Sequence, residues 1–150
     1  MDATVAVAAM GFVSTLLGAW LAAYWQRQSN REVRLLDAKL RAYGDCAATL
    51  YEYQRATYSR VKDRLESLPE ERREELRQEA YRCNARARSA IGQAAILSGT
   101  EGLQEELESV RQAVGDMNEA AHHRDLKLRH DSVYQALSRT LATARSDLMR

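Results

Sequence analysis

The sequence has 150 residues with 22 basic and 21 acidic side chains, a formal net charge of +1, one proline and seven glycines. This charge balance removes the general electrostatic basis for binding nucleic acid, so no nucleic-acid partner is expected. So few turn-forming residues argue against an all-β, turn-rich fold. The composition therefore predicts an all-α protein.

The first predicted element is an uncharged segment at residues 3–25, in which 18 of the 23 residues are apolar. A helix of roughly 20 residues crosses the hydrocarbon core of a bilayer, so we predict a transmembrane helix. The chain begins Met1-Asp2 and stays apolar for longer than a signal peptide does, which favours a span that is retained. Membrane lipid is therefore an expected partner of this segment.

The charges that flank the predicted span indicate its direction. No Lys or Arg precedes it, whereas Arg27, Arg31 and Arg34 follow it closely. Since positive charge is retained in the cytoplasm, we expect the N-terminus outside the cell and residues 26–150 inside. Amphipathic aromatic rings favour the headgroup layer. The predicted membrane-interface residues are Trp20, Tyr24, Trp25, Arg27, Arg31 and Arg34.

Small residues recur along one face of the predicted span. Their spacings of 3, 4 and 4 residues are typical of helices that approach each other closely in lipid. The stripe consists of Gly11, Ser14, Gly18 and Ala22. Alanine and glycine are also common in membrane helices that do not associate, so self-association into a homo-oligomer is one of two interpretations.

Residues 26–36 are predicted to continue the helix as a juxtamembrane stalk, which leads into a cytoplasmic helical bundle at residues 37–150. Apolar residues recur in this region at helical spacing, in four stripes. Three legs, 37–66, 69–98 and 102–131, each have 30 residues, or about 45 Å of helix. Their equal lengths suit antiparallel neighbours in a three- or four-helix bundle. The stripes include Tyr43 and Leu50, Cys83 and Ile91, Leu107 and Val114, and Val133 and Leu137.

Turn-forming residues separate the first three stripes. Ser67 and Glu70 flank Pro69 at the spacing of a capping box, which predicts the end of one helix and the start of the next. Gly99 predicts a helix stop, and Thr100 is the predicted N-cap of the third helix.

The apolar register shifts near the end of the third predicted leg. The third stripe runs to Ala121, and the stripe that follows at Val133 is not in phase with it. Continuous helix is an alternative, because residues 120–131 contain neither Gly nor Pro. The dipeptide Asp131-Ser132 offers a cap, so we predict a break there and a shorter fourth helix.

All three histidines lie near this register shift. Glu119 and His122 are three residues apart, as the carboxylate and imidazole are in helical di-iron sites. Such sites need a second pair and further inward glutamates, which this sequence lacks, so solvated residues at a helix junction are the favoured interpretation. No metal or cofactor is predicted. The alternative metal site would use Glu119, His122, His123, Asp125 and His130.

Cys46 and Cys83 are predicted to be reduced thiols, and Cys83, which lies on an apolar stripe, is predicted to be a small core residue. Their offset of about 10 Å along antiparallel helices exceeds the ~7 Å that a disulfide tolerates. The sequence contains no CxxC, HExxH or GxSxG motif and no phosphate-binding glycine loop. No catalytic residue is predicted, and we do not expect an enzyme.

Four tyrosines lie along the first predicted cytoplasmic helix. Core and rim positions are the favoured interpretation, and a groove for a partner is the alternative. These residues are Tyr43, Tyr51, Tyr53 and Tyr58.

With one predicted span, a short external N-terminus and helices rich in Arg and Ala, the chain resembles the small single-span membrane proteins common in actinobacteria. In outline it also resembles the b subunit of bacterial ATP synthase. However, Pro69 and the turn at residues 99–102 would interrupt the extended helix of such a stalk. Both resemblances are architectural and imply no functional residue.

The predicted function is that of a membrane-anchored helical interaction module, an adaptor, regulator or assembly factor that contacts a protein partner or a second copy. Two alternatives stay open. One is a membrane-active effector that oligomerises through its span, and the other is a metal-binding or enzymatic bundle that uses the histidine region. The size and regularity of the cytoplasmic helices favour the interaction module.

Overall fold

The computed structural model describes residues 2–67 and 69–149, and the side chains of residues 2–19, 21 and 29 lie outside that description. No described residue lies in a β-strand, which confirms the predicted all-α class. The helices are α1 (Asp2–Leu65), α2 (Glu70–Leu97), α3 (Leu103–Asp116) and α4 (His123–Leu148), with a 3-10 helix at Met117–Glu119.

The chain divides into two compact units, Met1–Asp37 and Ala38–Arg150. The first unit contains the N-terminal part of α1. The second unit contains the rest of α1 together with α2, α3 and α4, and it holds the apolar core.

Every helix contributes an inward stripe to the core of the second unit. Leu50 of α1, Leu107 of α3 and Leu137 of α4 have 2% or less of their surface exposed. Helix α2 contributes mainly small side chains, which let neighbouring helices approach closely. Its buried residues are Ala80, Cys83, Ala87, Ala90, Ile91 and Ala94.

The helices surround this core as antiparallel neighbours. Helix α3 packs against both α2 and α4. Tyr43 of α1 contacts Asp147 near the end of α4, whereas Tyr58 contacts His130 nearer its start, with ring centroids 5.0 Å apart. Since residue numbers rise along α1 as they fall along α4, these two helices run in opposite directions.

The break between the last two helices lies earlier than the sequence predicts. Helix α3 ends at Asp116 after 14 residues, and α4 begins at His123, so the predicted third leg of residues 102–131 is wrong. Leu126 is 1% exposed and lies seven residues before Val133, so it begins the inward stripe of α4. The phase shift in the sequence marks this break, which we had predicted too late in the chain.

Two arginines satisfy backbone carbonyl groups at the break, where the end of a helix leaves acceptors without intrahelical partners. Arg64, near the end of α1, donates to the carbonyl oxygens of Asn118 and Ala120 at 2.7 Å each. Arg129 of α4 donates to the carbonyl oxygen of Asp116 at 2.9 Å. The break is therefore stabilised by one side chain from α1 and one from α4.

The other two turns use different residues from those predicted. Ser67 has a φ of 57° and forms the turn itself, and the N-cap of α2 is Pro69 without a side-chain hydrogen bond. In the next turn Gly102 has a φ of 84°, the left-handed conformation that glycine adopts without strain. Gly102 is the N-cap of α3, the position that we had predicted for Thr100. Thr100 does not cap α3, because its hydroxyl donates to a carboxylate of α4.

Within the described residues, no helix is both long enough and apolar enough to cross a membrane. Most side chains of the predicted span at residues 3–25 lie outside the description, so the span stays a prediction. The described side chains of residues 26–36 belong to α1 and are exposed.

Candidate functional site

A buried carboxylate near the end of α4 accepts hydrogen bonds from two other segments of the chain. The side chain of Asp147 is 2% exposed. Its Oδ2 accepts hydrogen bonds from the Lys39 ammonium at 2.9 Å and the Tyr43 phenol at 2.6 Å. Its Oδ1 accepts one from the Thr100 hydroxyl at 2.8 Å, and the Gly99 N–H lies 3.4 Å from Oδ2. We call these five residues the Asp147 cluster.

Local structure places each member of the Asp147 cluster. Lys39 and Tyr43 are four residues apart in α1, so they share one face of that helix. The loop between α2 and α3 passes close to both. A Cβ atom on Gly99 would lie 3.3 Å from Oδ1 of Asp147 and 3.5 Å from Nζ of Lys39. A glycine therefore suits this close approach of the loop.

Electrostatics keep the carboxyl group of the Asp147 cluster ionised. Burial by itself would raise the pKa of Asp147, but hydrogen bonds from Tyr43, Lys39 and the loop outweigh it and hold that pKa well below its usual range. Burial and the hydrogen bond to the carboxylate raise the pKa of Tyr43. The cluster thus pairs an ionised carboxylate with a neutral phenol at physiological pH.

The arrangement favours a structural role for Asp147. A carboxylate has about four lone-pair sites, and protein donors on both oxygens use them. Buried ion pairs contribute to the specificity of a structure more than to its net stability in several systems. The Asp147 cluster therefore fixes the contact between three segments of the second unit. These are the first turns of α1 in that unit, the loop between α2 and α3, and the end of α4.

Sequence reasoning missed Asp147, although the sequence held a signal for it. The predicted stripe of α4 passed through Leu141 and Leu148, which are half-buried. An aspartate three residues after Ala144 continues the face of α4 that is buried in the structure. A buried carboxylate must be paired with a cation or with hydrogen-bond donors. That partner, Lys39, lies 108 residues away, so spacing alone could not identify it. The buried residues of α4 are Leu126, Val133, Leu137, Thr140, Ala144 and Asp147.

The structure does not bring the residues of the histidine region into a metal site. Across residues 2–67 and 69–149, no group of three or more His, Cys, Asp or Glu side chains is placed to hold a metal ion. Asp125 lies 3.1 Å from the guanidinium of Arg129, and Glu119 lies 3.6 Å from the same group. His122 and His123 are exposed at the break between α3 and α4.

The remaining histidine of that set, His130, packs against α1. Its ring contacts Tyr58 edge to face, and its carbonyl oxygen accepts a hydrogen bond from Gln54 at 3.3 Å. Its Nδ1 lies 3.4 Å from a carboxylate oxygen of Asp131. These contacts assign His130 to the interface between α1 and α4.

Both cysteines are buried free thiols. Burial raises the pKa of the Cys46 thiol to about 11. Burial and the nearby Glu79 carboxylate raise the pKa of Cys83. Because the thiolate is the reactive form, a raised pKa keeps these thiols unreactive at neutral pH. The burial of Cys83 agrees with its predicted role as a core residue.

The predicted membrane-interface residues are exposed on the first unit. Trp20 and Trp25 are 66% and 67% exposed, and the Trp20 ring stacks on Tyr24 with centroids 6.0 Å apart. The arginines are exposed as well. They are Arg27, Arg31 and Arg34. Contact of this surface with a membrane stays a prediction.

The predicted association stripe falls mostly outside the described side chains. This applies to Gly11, Ser14 and Gly18, whereas Ala22 is exposed. Self-association through this stripe therefore also stays a prediction.

The tyrosines of α1 divide between the core and the surface. Tyr43 and Tyr53 are buried, whereas Tyr51 is 37% exposed. The Tyr51 ring lies 6.2 Å from the ring of Tyr134 in α4, which is 53% exposed. We call Tyr51 and Tyr134 the exposed tyrosine pair.

Comparison with known proteins identifies the family of this chain. A family model described as KilB plasmid transfer protein matches residues 40–148. No curated protein and no solved structure matches the chain. These comparisons give no support to the architectural resemblance to small single-span proteins of actinobacteria.

Proposed function

Because this chain belongs to the KilB plasmid transfer protein family, we propose that it acts in plasmid transfer as a non-enzymatic helical module that contacts a protein partner. The observation that carries this proposal is the agreement between two boundaries. The family match covers residues 40–148, and the compact helical unit covers Ala38–Arg150. The feature shared by the family is thus the bundle itself, and we assign the function to its surface.

The exposed tyrosine pair supports contact with a protein. Tyrosine is enriched at protein interfaces, because its ring buries a large apolar area while its hydroxyl keeps a hydrogen bond. Tyr51 and Tyr134 present two such rings side by side on neighbouring helices. The partner in this proposal is a protein of the transfer machinery, and no cofactor is needed.

The proposal also places the bundle at the cell membrane. Residues 3–25 are the proposed span and residues 26–36 the stalk, with the N-terminus outside and the bundle in the cytoplasm. The apolar composition of the segment, the aromatic residues at its end and the arginines that follow support this topology. Self-association through the small-residue stripe would bring bundles together.

Plasmid transfer in the absence of this chain tests the proposal. In donor cells that carry a transferable plasmid but lack the gene for the chain, we expect the transfer frequency to fall and the wild-type gene to restore it. A variant with both Tyr51→Ala and Tyr134→Ala should not restore it, because two such rings together contribute on the order of tenfold or more to partner affinity.

Leu128→Ala is the matched control for the tyrosine variant. Leu128 is 62% exposed on α4, and its replacement should restore transfer like the wild type. Thermal unfolding of all three purified chains should show that each is folded at the temperature of the transfer assay. Transfer that proceeds unchanged without the gene contradicts the proposed function, and restoration by the tyrosine variant contradicts the proposed surface.

Tags at the two ends test the proposed topology. A tag before Asp2 should react with a membrane-impermeant reagent on intact cells, because no Lys or Arg holds the N-terminus in the cytoplasm. A tag after Arg150 should react only in permeabilised cells. Reaction of the C-terminal tag on intact cells would show the opposite orientation.

A further inference from the structure

A small cavity lies at the end of the bundle where α1 stops and α2 begins. Its volume is about 130 Å³, which suits one tetrahedral oxyanion and is too small for an extended ligand. Its wall includes four arginines, and two helices supply them. Arg60 and Arg64 come from α1, and Arg73 and Arg77 come from α2.

The cavity carries more positive than negative charge. Its four guanidinium groups face only two carboxylates, those of Glu70 and Glu74. Each carboxylate pairs with an arginine three residues later in α2. The side chains of Glu70 and Glu74 are 79% and 42% exposed, and exposed pairs of this kind are weak. A more highly charged anion can therefore replace them as the partner of the arginines.

The protein holds the other two arginines in place. Both end nitrogens of Arg64 donate to backbone carbonyl oxygens at 2.7 Å. The guanidinium of Arg60 lies over the ring of Tyr81, 5.7 Å from its centroid. These contacts fix both cations before any ligand arrives, which lowers the conformational cost of binding one.

Asn118 in the wall of this cavity has an acceptor without a donor. Its Nδ2 donates to the carbonyl oxygen of Gly115 at 2.7 Å, which fixes the orientation of the amide. Its Oδ1 is buried and accepts no hydrogen bond. Such a group calls for a donor. A phosphate that carries one proton offers an O–H donor together with negative charge, whereas sulfate at neutral pH offers only charge.

We propose that this cavity binds inorganic phosphate in preference to sulfate. The arginines pair with its charged oxygens, since guanidinium groups match the geometry of phosphate. Asn118 accepts the hydrogen bond of its protonated oxygen. This inference is independent of the proposed role in plasmid transfer and is tested on the purified chain.

Calorimetric titration of the purified full chain at neutral pH tests the proposal. We expect inorganic phosphate to bind more tightly than sulfate, and chloride at equal ionic strength not to bind. Arg77→Gln should weaken phosphate binding about tenfold, as expected for the loss of a charged hydrogen bond. Glycerol phosphate should bind more weakly than inorganic phosphate, because the second pKa of a phosphate monoester is about 6 and most of it carries no proton for Asn118 at neutral pH.

Arg82→Gln is the matched control, because Arg82 pairs with Glu79 at the same spacing in α2 but lies outside the cavity. Its phosphate affinity should equal that of the wild type. Glu74→Gln should bind phosphate more tightly, since it removes a carboxylate that competes for Arg77. If the Glu74–Arg77 pair had only a structural role, this substitution would not raise the affinity. Equal affinities for Arg77→Gln and Arg82→Gln, or equal binding of phosphate and sulfate, would overturn the proposal.

Discussion

Replacing Leu107 with aspartate should unfold the bundle. Leu107 is 2% exposed in the inward stripe of α3, between the buried Leu103 and Val110. An unpaired charge at such a position costs several kcal/mol or more, and the whole stability of a domain is about 5–15 kcal/mol. We expect the purified variant to lose the cooperative urea transition and the near-ultraviolet circular dichroism of its tyrosines.

Ser109→Asp is the control for this substitution. Ser109 lies two residues further along α3 and is exposed, so the same added charge should change stability by about 0.5 kcal/mol or less. Glu108 is a poorer control position, because its carboxylate accepts a hydrogen bond from Arg111 at 3.0 Å. Arg111 in turn donates a hydrogen bond to Asn84. If the aspartates at positions 107 and 109 lower the urea midpoint equally, the inward face assigned to α3 is wrong.

Periodicity located the inward faces of α2 and α3 and that of α1 from Tyr43 onward, because each face depends only on residues a few positions apart. The apolar residues that precede Tyr43 in the predicted stripe of α1, Val33, Leu36 and Leu40, are exposed. Leu50 and Leu107 were predicted from such spacing and are buried. The end of α3 could not be located in this way. Gly115 lies one residue before it, but the apolar stripe continues past this glycine to Ala121. Two of the stabilising contacts come from Arg64 and Arg129, which lie in other helices.

The donors of the Asp147 cluster and the residues that form the turns could not be predicted from the sequence, for a related reason. The sequence offered Thr100 as a helix cap, because hydroxyl side chains commonly fill that position. In the folded chain the same hydroxyl binds Asp147, which lies 47 residues away. The local preference of Thr100 for a helix N-cap is thus overridden by its hydrogen bond to a buried carboxylate. Only the folded chain brings Thr100 and Asp147 together.

Replacing Asp147 with asparagine should destabilise the bundle by about 3 kcal/mol, as is typical when one partner of a buried ion pair is removed. The Lys39 side chain is 15% exposed, so water compensates little of its lost partner. The new amide would also direct N–H donors towards existing donors. The change is measured by urea unfolding of the purified chain at pH 7.

Asp131→Asn is the matched control on α4, since the side chain of Asp131 is 57% exposed. It should change stability by about 0.5 kcal/mol or less. A double-mutant cycle that combines Asp147→Asn with Lys39→Met isolates the ion pair, and contacting residues couple by about 0.5–3 kcal/mol. Additive effects of the two substitutions would show that Lys39 and Asp147 do not interact in solution.

The stabilisation by Asp147 should also disappear in acid, in a direction fixed by its pKa. Hydrogen bonds hold the pKa of Asp147 in the folded chain well below its usual range, whereas an unfolded aspartate titrates near pH ~3.9. A depressed pKa stabilises the folded state at pH values above that of the unfolded group. This contribution is lost as the pH falls further towards the folded pKa. The difference in unfolding free energy between wild type and Asp147→Asn, measured from pH 7 down to pH ~3, should therefore begin to narrow below pH ~4. A difference that stays constant over this range would mean that Asp147 is not ionised in the folded protein.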